Sequence, residues 1–130
     1  MSSFFFLDSF RRHVYEEIKE DAIKAILNLI DSEREGEIID KSLIKNIVEL
    51  FDAIGANIAD LEEPLLARTR AFYSQRRQEW TATDTTPDYL IKAEAALIHE
   101  RNLVNYLIPS TEEKLMKVVE EEILEKVNYD

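Results

Sequence analysis

Residues 29–40 read LIDSEREGEIID, and they decide the fold because one helix ends and another begins inside them. Leu29 and Ile30 close an apolar run of helical spacing. Gly36, one of only two glycines in 130 residues, is suited to the left-handed conformation that ends helices. Ile38 and Ile39 reopen the apolar pattern, and Asp40 or Ser42 supplies an oxygen for the unpaired N–H groups of a new helix. Upstream, Phe10, Val14, Ile18, Ala22, Ala25, Ile26 and Leu29 recur at steps of three and four. A first helix is therefore expected from Asp8 or Ser9, either of which can cap it, to about Glu35. Downstream, Leu43, Ile44, Ile47, Val48, Leu50, Phe51 and Ile54 predict a second helix ended by Gly55. Its wide apolar arc predicts the most buried element.

Three more helices follow from the same reasoning. Leu61, Leu65, Leu66, Phe72, Tyr73 and Trp80 predict a third, with Pro64 in its first turn, where a missing N–H costs least. Residues 81–86 read as a loop, with Thr86 as N-cap and Pro87 as the first residue of a fourth helix. That helix carries Leu90, Ala93, Leu97, Val104 and Leu107 on one side. Pro109 breaks it, and Ser110 with Glu113 forms a capping box for a fifth. The fifth presents Leu115, Val118, Val119, Ile123, Leu124 and Val127. The expectation is all-α: a five-helix bundle in one domain, residues 1–130, with short loops that make consecutive helices antiparallel.

Charge and composition narrow the function. The formal net charge of -11 disfavours nucleic acid and anionic membranes as partners, since both demand an excess of Lys and Arg. No cysteine is present, which removes disulfides, zinc–thiolate sites and thiol catalysis. No stretch is long and apolar enough for a membrane span, and the apolar run at residues 4–7 is too short for a signal peptide. A soluble protein of the cytoplasm, the nucleus or both is expected.

No motif announces chemistry. Two glycines cannot build a phosphate-binding loop. His13 and His99 lack metal-ligand spacing, because position 103 is Leu103, and both are expected to face solvent. The carboxylates at 16, 17 and 20, at 33, 35 and 37, and at 120–122 read as solvated helix faces rather than a glycosidase pair. Of these, Glu37 is a candidate N-cap for the second helix. Arg68, Arg70, Arg76 and Arg77 are expected to pair with acids of neighbouring helices or of a protein partner. Phe72, Tyr73 and Trp80 are expected in the core. The expected catalytic, cofactor and metal sets are all empty. Phe4, Phe5, Phe6 and Leu7, expected to precede the first helix, are the candidate surface for a repeat junction or for self-association.

The order of several segments resembles one family. Residues 29–40, Leu43-Ile44-Lys45-Asn46, Phe72-Tyr73, residues 89–95, His99-Glu100-Arg101, Tyr106-Leu107 and Ser110-Thr111 are similar to the N-terminal region of cullins. Cullins are the elongated scaffolds of cullin-RING ubiquitin ligases. The agreement runs from about Leu7 to Leu124. The resemblance implies a stalk of three five-helix repeats, of which this chain looks like the second. It implies a rigid spacer, itself no enzyme, between a substrate-receptor adaptor and a RING protein with its conjugating enzyme. The implied partners are neighbouring repeats and ligase subunits, and the isolated segment is expected to self-associate. Adaptor-contact residues belong to the family's first repeat, so none is carried over. The stretch between Gly55 and Leu61 is shorter than the family's usual one. The competing reading is a module of another elongated assembly, such as a vesicle-tethering rod, sharing only architecture. A small helical enzyme has no motif in its favour.

Overall fold

The computed structural model describes the backbone of residues 2–127 and the side chains of residues 8–127. Among the described residues, five α-helices follow in order: α1 (Ser2–Arg34), α2 (Lys41–Ala53), α3 (Ala59–Thr83), α4 (Thr86–Leu107) and α5 (Glu112–Glu120). A 3-10 turn at Pro109–Thr111 precedes α5, and a π turn at Glu121–Glu125 follows it. Among the described residues there is no strand, as the helical spacing predicts.

The chain divides into two compact units, Met1–Leu61 and Glu62–Asp130. In the first, α1 packs on α2. Ala22, Ile26, Leu27 and Ile30 of α1 and Ile44 and Phe51 of α2 are buried. The junction between them closes as its sequence suggests. Gly36 has φ +92°, with Gly36 N–H on the Glu33 carbonyl and Glu37 N–H on that of Ser32, both at 3.0 Å. These are the paired bonds of a Schellman ending. Asp40 then caps α2, accepting from the N–H groups of Ser42 (3.1 Å) and Leu43 (3.2 Å). Hydrogen bonds from Ser42 and from the Leu43 N–H hold its carboxyl below the ordinary range. Asp40, and not Glu37, performs this role because it stands directly before the first helical turn.

The second unit is built from α3 onward of residue 62, with α4 and α5. Tyr73 meets Glu100 and Trp80 meets Tyr89, so α3 and α4 run antiparallel. Glu62 meets Thr111 and Arg77 meets Glu122, so α3 and α5 run in the same direction. Tyr73, Tyr89, Ala93, Val119 and Ile123 form a buried cluster, flanked by Phe72, Trp80, Ala96, Leu97 and Val127.

Several sequence expectations are corrected. α1 begins at Ser2, so the backbone at 4–7 lies within the helix instead of preceding it. Asp8 does not cap; it pairs with Arg12 one turn on, inside the helix. Steps of four residues advance by about 400°, so the apolar series of α1 drifts about 40° per step. Phe10 and Ile18 are accordingly exposed while Ile26 is buried. α2 is not the most buried helix, since Leu43 and Leu50 flank its buried face and are about half exposed. Pro64 falls in the second turn of α3, because Asn57 starts that helix early, its Oδ1 accepting from Ala59 N–H at 3.0 Å. Thr81 and Thr83 belong to α3: their hydroxyls bond back to the carbonyls of Arg77 and Glu79. Thr85 is the N-cap of α4, accepting from Asp88 N–H. Leu90 points outward, and the inner face of α4 follows Tyr89, Ala93, Glu100, Leu103, Val104 and Leu107. The Ser110–Glu113 capping box does not form, because the 3-10 turn places Thr111 at the cap position. Leu124 lies at the rim of the exposed surface.

Candidate functional site

The chemistry of the second unit concentrates in three carboxylates buried between helices. Glu122, on the π turn, is 2% exposed and stands amid three cations. Arg77 Nη1 donates to its Oε2 at 2.7 Å, and Arg70 Nη1 and Lys126 Nζ donate to its Oε1 at 3.0 and 2.6 Å. Arg70 uses its other nitrogen on Glu121, also at 3.0 Å. Burial pushes the Glu122 carboxyl up, but hydrogen bonds from Lys126, Arg77 and Arg70 outweigh it and hold the group below its ordinary value. Arg70 is raised in turn by its bonds to Glu121 and Glu122.

Glu62, at the other end of α3, accepts from the Thr111 hydroxyl at 2.7 Å and from Lys114 Nζ at 3.1 Å. Glu100, 1% exposed on α4, accepts from the Tyr73 hydroxyl at 2.6 Å. α3 is thus tied to α5 at both ends and to α4 in between. A buried ion pair adds little net stability over an apolar pair, but removing one partner is costly, so such pairs fix which helix faces meet. The arrangement can hold three helices in one register. Both oxygens of Glu62 and of Glu122, and Oε1 of Glu100, are met by donors.

Sequence reasoning missed these carboxylates and assigned 120–122 to a solvated face. The signal was present. Glu122 stands seven residues after Leu115, four after Val118 and three after Val119, in phase with the apolar stripe of α5. Glu100 is likewise in phase with Ala93, Ala96, Leu103 and Leu107. The arginine expectation is met by Arg70 and Arg77, seven residues apart on one face of α3, which both reach the π turn after α5. Arg76 instead pairs with Glu79 on its own helix and lies over the Phe72 ring. Tyr73 is buried and Phe72 and Trp80 are partly buried, as expected.

His13 and His99 are exposed on α1 and α4. Among the described residues no group of three or more His, Cys, Asp or Glu side chains is placed to hold a metal ion. No helix of the described residues is long and apolar enough to cross a membrane. The side chains of Phe4, Phe5, Phe6 and Leu7, the candidate junction surface, lie outside the described residues.

Residues 4–128 match the family model of the cullin alpha solenoid domain. Among curated proteins, Putative cullin-like protein 1 of Arabidopsis thaliana is 38% identical over 122 residues, covering 89% of this chain and 17% of that protein. Cullin-3 of Dictyostelium discoideum is 39% identical over 113 residues, covering 82% and 15%. Cullin-1 of Oryza sativa subsp. japonica is 43% identical over 124 residues, covering 91% and 17%. The chain therefore spans about a sixth of the length of these relatives.

Proposed function

Because the chain belongs to the cullin family, we propose that it serves as a scaffold repeat of a cullin-RING ubiquitin ligase. The observation that carries this reading is the family match itself, which runs through both compact units from residue 4 to residue 128. In this reading residues 1–130 act as one repeat, the second of the stalk, and as a rigid spacer rather than an enzyme. The spacer's contribution is to effective concentration. It keeps a substrate receptor at one end and a RING protein with its conjugating enzyme at the other, in a geometry that favours encounter. Packed helices do this better than a flexible linker, whose ends sample many separations. The three buried carboxylates support the reading, since each ties helices of the second unit together.

The proposed partners are proteins: neighbouring repeats and ligase subunits, in the cytoplasm, the nucleus or both, with no role for nucleic acid or membrane. Phe4, Phe5, Phe6 and Leu7 are proposed as the surface that meets a neighbouring repeat, or a second copy of the isolated chain. Two measurements test the proposal. The purified chain should neither capture a substrate-receptor adaptor stoichiometrically nor support ubiquitin transfer. Stoichiometric adaptor capture would overturn the middle-repeat reading. Light scattering of the chain should show concentration-dependent association that is lost when Phe4, Phe5 and Phe6 are changed to Ser; a monomer at high concentration would refute the surface.

A further inference from the structure

α5 ends in a π turn, Glu121–Glu125, and the hydrogen bonds around it give a reason. In an α-helix the Lys126 N–H would bond the Glu122 carbonyl, four residues back. It bonds the Glu121 carbonyl instead, at 3.0 Å. The Glu122 carbonyl is engaged from the side, because Arg77 Nη1 donates to it at 3.0 Å. The next α-helical acceptor is the Ile123 carbonyl, which Val127 N–H would use. That oxygen accepts the Tyr89 hydroxyl at 2.8 Å. The two carbonyls that a continuing α-helix would need are thus both taken by side chains from other helices, Arg77 from α3 and Tyr89 from α4.

Tyr89 is held by packing outside the turn, and Arg77 is held both by the turn's own Glu122 side chain and by Ser74 of α3. Arg77 is anchored on Glu122 Oε2 at 2.7 Å and reaches Ser74 Oγ at 3.4 Å. The Tyr89 ring is buried edge-on against Trp80, with centroids 5.8 Å apart. A carbonyl has two lone pairs, but a guanidinium or phenol beside the helix crowds the axial approach of an incoming N–H. π turns are rare and arise mostly as single turns at functional positions, so one with a built cause is informative.

We propose that Arg77 and Tyr89 set the register of this turn, making the end of α5 a two-position latch. With both donors seated, the Lys126 N–H goes to Glu121 and the turn is π; with them withdrawn, it goes to Glu122 and the helix continues as α. Moving the acceptor by one residue turns the following side chains by on the order of one 100° step. That step takes Val127 off the Tyr73–Tyr89–Ile123 cluster and Lys126 away from the Glu122 carboxylate. The latch follows from the second unit alone and does not depend on the ligase reading.

The test reads the register directly, through hydrogen-bond scalar couplings in the isotope-labelled 130-residue chain. The wild type should couple the Lys126 N–H to the Glu121 carbonyl carbon. A variant carrying Arg77→Met and Tyr89→Phe should couple it to Glu122. A wild type coupled to Glu122, or a folded double variant still coupled to Glu121, overturns the proposal. Should the double variant fail to fold, Tyr89→Phe alone decides, since it keeps the ring against Trp80. Its Val127 amide, able to bond the freed Ile123 carbonyl, should exchange about fivefold slower or more, the worth of one hydrogen bond, with residues 115–119 unchanged. No slowing, or the same slowing across all of α5, contradicts the latch.

Discussion

Replacing Glu122 by Gln removes one charge and almost no volume, and three donors report the change. A charge-assisted hydrogen bond contributes about 1 kcal/mol more than a neutral one. Arg77, with an 18% exposed side chain, loses that full difference. Arg70 and Lys126 are about half exposed, so water restores part of theirs, leaving about 0.5 kcal/mol each. Glu122→Gln should therefore destabilise the chain by about 2 kcal/mol at pH 7, or lower its Tm by about 8 °C. The pH dependence has a definite sign. The folded carboxyl lies below its ordinary value of 4.5, so its stabilisation is fully present above that pH and is lost as pH falls through the folded value. Urea unfolding followed by circular dichroism, on wild type and variant from pH 7 to pH 2, measures both. A difference within about 0.5 kcal/mol at pH 7, or one that stays constant down to pH 2, would refute the assignment of Glu122 as a paired, ionised hub.

The packing makes three further claims. Phe51→Ala should cost about 3–5 kcal/mol by opening a cavity, because Phe51 is 1% exposed, whereas Leu50→Ala, at 50% exposure, should cost under about 1 kcal/mol; chemical denaturation compares the two. Gly36→Ala should cost about 1–2 kcal/mol from the positive φ alone, since φ is +92° and an added Cβ meets no atom of more distant residues within 4 Å; Gly36→Asn should recover part of the loss in a thermal melt. Tyr73→Phe should cost about 1–3 kcal/mol, because it withdraws the hydroxyl 2.6 Å from a fully buried Glu100; a neutral effect on denaturation would show that bond to be dispensable.

Local punctuation was legible in the sequence. Gly36, Asp40, Gly55 and Pro109 each act within a few residues of themselves, and each ends or starts an element as its chemistry dictates. Rotation was less legible. Spacing marks an apolar stripe on α1 and a wide apolar arc on α2, but a four-residue step drifts, and Phe10, Leu43 and Leu50 turn toward solvent. Apolar content alone marks Phe4–Leu7 as a candidate junction surface, and the helix starts before those residues. The buried carboxylates were hidden because their partners on other helices are 27 to 52 residues away, from Tyr73 and Glu100 to Glu62 and Lys114. Only their phase on an apolar stripe betrays them, and phase is easily overruled by the habit of placing glutamate outside. Nothing within residues 121–125 signals a π turn, because its donors lie on α3 and α4.

The spacer role is tested most directly in an intact ligase. In a full-length cullin, the matched segment would be replaced once by residues 4–128 of this chain and once by a glycine–serine linker of equal length. Ubiquitin transfer to a bound substrate would then be measured with adaptor and RING protein both present. A rigid spacer requires that the chimera with this chain retain transfer and that the linker version lose it while still binding both end partners. Equal transfer by the two chimeras, or loss of transfer in the first despite full occupancy at both ends, would contradict it.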